Sequence, residues 1–297
     1  MLIQRVIMKK FIYLLVIFGL MLSFSGCIDD PLKDEQYVKK VFIVGAADEV
    51  QTKDVYFTSD EEQETYISVG VGGSLVIDSD VQFTLVEADD AIDEYNQRYI
   101  VQGQPRYHKI DESLYNVPSM SGVIKAGDTY ARVPIKIRAH ELECDSLYML
   151  SFKLASASCE ISKPDTILLF TFNMVNQYSD SYQLNVIKQE LQEGQPIGEP
   201  SMVASVRTLK AIDEHEVRFF NLATIEENRN IASSCIRMKI NPEDNTLSMS
   251  GWDKLEVLSS EGVYNPETKG FTFKYVYRDT DGKTYSVDGT LKQLEEN

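Results

Sequence analysis

The chain has 297 residues, with 46 Asp and Glu against 29 Lys and Arg, a formal net charge of −17. Such a balance repels nucleic acid and anionic lipid surfaces and leaves neutral ligands and other proteins as partners. The length exceeds a typical single domain of about 100–150 residues, and 43% of the side chains are apolar, enough for two cores.

Lys9 and Lys10 precede an uncharged apolar run, Phe11 to Phe24, which closes on Ser25-Gly26-Cys27. A basic start, an apolar stretch and small residues at its end describe a secretory signal. The run falls short of the roughly 20 residues that a membrane-spanning helix needs. Small residues before Cys27 resemble a bacterial lipobox, with Phe24 where Leu or Val is usual. The resemblance implies cleavage before Cys27, lipidation of its thiol and amine, and a mature chain tethered at its N-terminus; the expected location is the outer membrane, facing the cell exterior. Met8-Lys9-Lys10 reads as the natural start. Residues 1–26 carry three bases and no acids, so the processed chain has 26 bases against 46 acids, a net of −20.

Beyond the signal, strand patterns dominate. Val81, Phe83 and Leu85 alternate with polar residues, and Asp89 to Tyr99 follows as a short helix. Asp89 or Asp90 is its expected cap, and Ile92, Tyr95 and Tyr99 share its apolar face. Tyr99, Tyr107 and Tyr115 flank a long patternless segment, Gln102 to Ser113. Val133, Ile135 and Ile137 point to a core while Arg132, Lys136 and Arg138 point outward, with Pro134 marking an edge or a bulge. Tyr148, Leu150, Phe152 and Leu154 alternate likewise, and Thr166 to Val175 reads as a strand buried on both faces. Asn176 to Ser181 breaks the pattern. Strands resume over 182–191, 202–211, 217–221 and 235–240. Phe271, Phe273, Tyr275 and Tyr277 then alternate, Asp281-Gly282 turns the chain, and Tyr285, Val287 and Leu291 continue. This meander predicts a barrel or a sandwich, and the lack of helices between strands excludes a parallel-sheet fold.

Ala91-Ile92-Asp93-Glu94-Tyr95-Asn96, Leu114-Tyr115-Asn116-Val117-Pro118 and Gly122-Val123-Ile124-Lys125-Ala126-Gly127-Asp128 resemble the N-terminal domain of Bacteroidetes two-domain surface lipoproteins, a domain of unknown function. Gly262-Val263-Tyr264-Asn265-Pro266 and Phe271-Thr272-Phe273-Lys274-Tyr275 resemble the all-β domain that accompanies it. The resemblance implies an immunoglobulin-like β-sandwich followed by an all-β domain, in proteins associated with glycan capture. The expected organisation is a signal peptide (1–26), a tether (27–36), a sandwich domain (37–176) and a barrel-like meander (177–297). Asp29, Asp30, Asp34 and Glu35 resemble a surface-export signal of that phylum and equally suit a solvated tether.

Motifs for catalysis are sparse. His108, His140 and His215 lack ligand spacing, and His140-Glu141-Leu142-Glu143-Cys144 lacks the second histidine of a zincin helix. Gly70-Val71-Gly72-Gly73 has Leu75 where a dinucleotide loop needs glycine, and Asp279-Thr280-Asp281-Gly282 reads as a hairpin turn rather than a calcium loop. Cys144, Cys159 and Cys235 read as free thiols, because a strand between the first two would carry them to opposite ends of a sheet. No metal or cofactor is expected. Sugars need aromatic faces and a few polar groups. Trp252, with a parity opposite to Leu247, Met249, Leu255 and Val257, is either an exposed stacking platform or a lid on the core. Tyr107 and Tyr115 are the next candidates, and as anchors of the loop they would serve structure instead. The expected function is non-catalytic binding of a neutral glycan. The alternatives are a structural or adhesion subunit docking to another surface protein, and a glycoside hydrolase whose carboxylate pair cannot be singled out among 46 acids.

Overall fold

The structure is a computed structural model and describes residues 34–46, 50–57, 62–164 and 166–294. Cys27, the signal and the acids Asp29 and Asp30 lie outside the described residues.

The first half is a two-sheet sandwich. One sheet holds β1 (Lys40–Ile43), β3 (Gln63–Gly72), β6 (Tyr115–Asn116), β8 (Tyr130–Ile137) and β10 (Glu160–Ile161), in the order β10-β1-β3-β8-β6. The other holds β2 (Val50–Tyr56), β4 (Val81–Glu87), β7 (Ser121–Ile124), β9 (Tyr148–Ala157) and β11 (Ile167–Val175), in the order β2-β11-β9-β4-β7. A short strand, β5 (His108–Lys109), adds to β9 in parallel. Alternation along each strand turns one set of side chains inward. Val133, Ile135 and Ile137 meet Phe83, Leu85, Phe152 and Phe170 in a single core between the sheets. Phe152 and Phe170 stack with centroids 5.9 Å apart. Pro134 pairs with Tyr66 of β3, and among the described residues the other edge of β8 has no partner strand beyond Ile137 and Lys136, which is why a proline is tolerated.

β9 and β11 are buried on both faces only over short stretches, Met149 to Phe152 and Leu168 to Phe170, and Asn173 of β11 is exposed. Their outward residues Met149 and Leu169 lie under α1 (Asp90–Tyr99), where Ile92 completes a small second cluster. The expected cap is not made: Asp89 stands at the N-cap in helical conformation without a side-chain capping hydrogen bond. Its carboxylate is drawn instead to Lys109 Nζ, 3.0 Å away. Tyr99, expected on the apolar face, is 47% exposed, because the last turn of the helix carries it clear of the packed sheet.

The second half is one eight-stranded meander: β12 (Asp180–Gln192), β13 (Gln195–Asp213), β14 (Glu216–Phe220), β15 (Cys235–Ile240), β16 (Leu247–Gly251), β17 (Glu256–Asn265), β18 (Gly270–Arg278) and β19 (Thr284–Gln293). Its order, β16-β15-β14-β13-β12-β19-β18-β17, curls until the two edge strands meet. The seam is made by a single Thr246–Val263 bridge and by Ser260 Oγ, which accepts from Met249 N–H at 2.9 Å. The structure thus decides for a nearly closed barrel over a sandwich. Phe271, Phe273, Tyr275 and Tyr277 fill its interior together with Tyr178 and Tyr182, as a packed core. Tyr275 donates its hydroxyl to buried Asn221 Oδ1 at 2.6 Å. At the β18–β19 turn, Asp279 Oδ1 accepts from Asp281 and Lys283 N–H, so its carboxylate serves the hairpin. Cys144, Cys159 and Cys235 are free thiols.

Candidate functional site

The helix that plugs the outer face of the β9/β11 sheet also creates a groove beside itself. Asn96, 3% exposed, faces inward and clamps the following loop: its Nδ2 donates to Tyr107 C=O at 2.7 Å, and its Oδ1 accepts from Tyr107 N–H at 2.9 Å. That clamp sets Tyr107 edge-on against Tyr95, with centroids 5.8 Å apart at 73°. Tyr95 in turn lies 4.9 Å from Tyr99, one helical turn on. The three rings form a ladder from the half-buried Tyr107 out to the exposed Tyr99. Burial and the neighbouring Tyr95 push the Tyr107 phenol above its usual pKa, so it stays protonated.

The groove runs between this ladder and β11, with a volume of about 290 Å³, and is lined by Ala91, Glu94, Tyr95, Arg98, Tyr99, Ile167 and Leu169. Glu94 and Arg98 are one turn apart on the rim, and the Arg98 guanidinium lies 5.6 Å over the Tyr99 ring. The volume is at the small end of ligand pockets, which run about 300–1,000 Å³. An aromatic wall beside a carboxylate and a guanidinium is what a sugar ring requires: C–H faces to stack, hydroxyls to bind.

Below the helix, Lys109 holds the loop to the sheet. Its ammonium donates to Glu87 at 2.6 Å, to Asp89 at 3.0 Å and to Glu112 at 3.3 Å. Burial disfavours that charge, but Glu87 and Asp89 outweigh it and raise the ammonium pKa above the ordinary lysine value. Tyr115 belongs to the same anchor. Its hydroxyl donates to Glu87 Oε1 at 2.7 Å, its ring packs on the sandwich core, and burial followed by the Glu87 bond raises its pKa. Tyr115 is a half-buried post for the loop.

Trp252 stands apart from these tyrosines, on the outer side of the barrel. Gly251 allows this placement: a Cβ there would come 1.6 Å from Leu255 O, so only glycine lets the chain double back. Trp252 N–H then donates to Cys235 C=O at 2.9 Å. The guanidinium groups of Arg218 and Arg237, cross-strand neighbours on β14 and β15, each lie 5.4 Å from its half-buried ring. It is neither a free platform nor part of the barrel interior; it covers an arginine. The three residues singled out in the sequence are therefore not one site. Tyr107 backs the groove, Tyr115 supports the loop, and Trp252 belongs elsewhere. Glu94, Arg98, Ile167 and Leu169 had no distinguishing sequence signal beyond the i, i+4 spacing of Tyr95/Tyr99 and Glu94/Arg98. Among the described residues, no group of three or more His, Cys, Asp or Glu side chains converges to hold a metal.

Two family models match the chain in tandem. One describes an N-terminal domain and spans residues 35–161; the other describes a C-terminal domain and spans residues 166–292. The chain belongs to this two-domain family. The family fold recurs in solved structures. A structural-genomics protein of unknown function from Bacteroides ovatus matches with a TM-score of 0.64 at 18% identity, covering 86% of this chain and 94% of its own. A multidomain protein including DUF1735, also from Bacteroides ovatus, matches at 0.60 and 18% identity, covering 82% and 89%. An auxiliary nutrient binding protein from Bacteroides thetaiotaomicron matches at 0.58 and 14% identity, covering 82% and 91%. At these identities the likeness shows the fold alone. No curated protein matches the chain.

Proposed function

We propose that the protein is a non-catalytic glycan-binding lipoprotein of the outer membrane, exposed to the cell exterior, and that it holds a neutral sugar in the groove between α1 and β11. The observation that carries this reading is the Tyr107–Tyr95–Tyr99 ladder ending in an exposed ring beside Glu94 and Arg98. The nutrient-binding description of the Bacteroides thetaiotaomicron structure is in keeping with it. Screening the protein against a neutral glycan array and titrating the hits by calorimetry tests the reading. Tyr99→Ala is expected to weaken the best hit about fivefold, since an aromatic contact contributes on the order of 1 kcal/mol. The melting temperature should stay unchanged, because Tyr99 is 47% exposed. Full affinity in Tyr99→Ala would remove the groove from consideration.

The anchor has its own test. Cys27→Ser is expected to abolish labelling by a palmitate analogue and to release the protein from the membrane fraction. Retained label would refute lipidation at Cys27.

A docking subunit is the second reading. It is favoured by Ile187, Met202 and Val206, which are 51%, 88% and 52% exposed on the long β12–β13 hairpin. A protein that binds no glycan but loses a surface-protein partner on Met202→Glu would establish it.

A further inference from the structure

The outer face of the β1/β3/β8 sheet carries a second aromatic surface, remote in sequence from α1. Phe42 lies flat on the sheet because β3 has a glycine beneath it: a Cβ at Gly70 would stand 2.9 Å from the tip of the ring. Tyr66 and Tyr130 are 39% and 49% exposed beside it. With Val44, Ser68 and Arg132 they line a shallow depression of about 430 Å³.

Charge distinguishes this face from the α1 groove. Arg132 lies 4.1 Å over the Tyr66 ring and 5.7 Å from that of Tyr130, and Lys53 Nζ lies 5.5 Å from the Tyr66 ring. Some exposed cations elsewhere have acids: Lys40 pairs with Glu160, Lys125 with Asp80, and Lys136, on the same strand as Arg132, with Glu62. Among the described residues neither Arg132 nor Lys53 has a carboxylate within salt-bridge distance. Two cations therefore converge on one tyrosine ring, and their positive charge is not cancelled by a neighbouring acid among the described residues. A guanidinium held by its face on a ring keeps its N–H edge free, and that edge matches a carboxylate or sulfate with two parallel hydrogen bonds.

We propose that this face is a second saccharide site, specific for a sugar bearing a negative charge. Arg132 takes the anionic group, Lys53 adds a second positive charge, and Tyr130 and Phe42 offer their faces to the sugar ring. Asp128, which shares the adjoining depression with Tyr130 and Arg132, opposes the anion and limits affinity. The site does not depend on the neutral-glycan reading of the α1 groove, and the two use different residues.

Calorimetric titration with trigalacturonate, its methyl ester and a sulfated trisaccharide tests the proposal at low salt. The protein is expected to bind the free acid at least tenfold more tightly than the ester, with affinity falling as salt rises. Arg132→Gln should erase that preference, Lys53→Gln should reduce it, and Asp128→Asn should strengthen binding. Tyr99→Ala should leave it intact, which separates this site from the groove. Tighter binding of the sulfated sugar, lost in Arg132→Gln, would identify sulfate rather than carboxylate as the anion read by the same site. Equal affinity for acid and ester, no binding of any anionic sugar, or a preference that survives in both Arg132→Gln and Lys53→Gln would overturn the proposal.

Discussion

Asp145→Ala is expected to lower the unfolding free energy by about 3–5 kcal/mol, the usual cost of leaving a buried charge without its partner. Asp145 precedes β9 in the sandwich half, and its Oδ1 accepts from Arg218 Nη2 on the outer side of the barrel. Arg218 is only 1% exposed. Its Nη1 donates to Cys235 Sγ at 2.9 Å, its flat faces lie against Phe220 and Trp252, and its Nε has no partner. Burial alone would depress the guanidinium, and the Asp145 charge outweighs it, so Arg218 is held above its usual pKa and charged. Lys210 also reaches Asp145, at 3.6 Å, but it is half exposed and water can replace that contact. Without Asp145 the Arg218 charge is buried with a thiol and two rings for company. Urea unfolding of the two proteins side by side measures the difference. A loss below about 1 kcal/mol would mean that water already reaches the guanidinium.

Asn176→Ala should cost about 3–4 kcal/mol, because one side chain ties four backbone groups where the two halves join. Its Nδ2 donates to Asp213 C=O at 2.7 Å and to Glu216 C=O at 3.0 Å. Its Oδ1 accepts from Tyr178 and Ser179 N–H, both at 2.9 Å. Asn176 is 6% exposed and Tyr178 2%, so alanine removes four bonds at about 1 kcal/mol each, although Ser179 N–H keeps a 3.3 Å bond to the residue 176 carbonyl. Asn176→Asp is the informative companion. It keeps both accepted bonds but sets a carboxylate against two carbonyl oxygens, so it too should melt earlier than the parent. If Asn176→Asp were as stable as the parent, the Asp213 and Glu216 bonds would contribute nothing. Both variants also probe how far the halves fold together, since Ala211 of β13 packs in the sandwich core.

The sequence by itself determined what depends on neighbouring residues. Alternation is a local property of a strand, so Val133, Ile135 and Ile137, and likewise Phe271 through Tyr277, could be assigned to cores from parity alone. The break in alternation after Val175 was legible for the same reason, and β12 resumes at Asp180; that the Asn176 side chain bonds the amides two and three residues on was seen only in the structure. The parity of Trp252 left two placements open, a platform or a lid on the core. What surrounds Trp252 was decided by tertiary structure. Arg218 and Arg237 reach Trp252 from strands 34 and 15 residues upstream, and Asp145 reaches Arg218 across 73 residues. Tyr99 had the right helical spacing to be buried, but exposure depends on where the sheet beneath α1 ends. Asp89 had the chemistry of a cap and was taken by Lys109, a partner 20 residues away. Barrel or sandwich was likewise open, because closure rests on β16 meeting β17 through one bridge and one serine hydroxyl. Short-range periodicity specifies which face of each strand is apolar; which surfaces that face then meets is a property of the whole chain's packing.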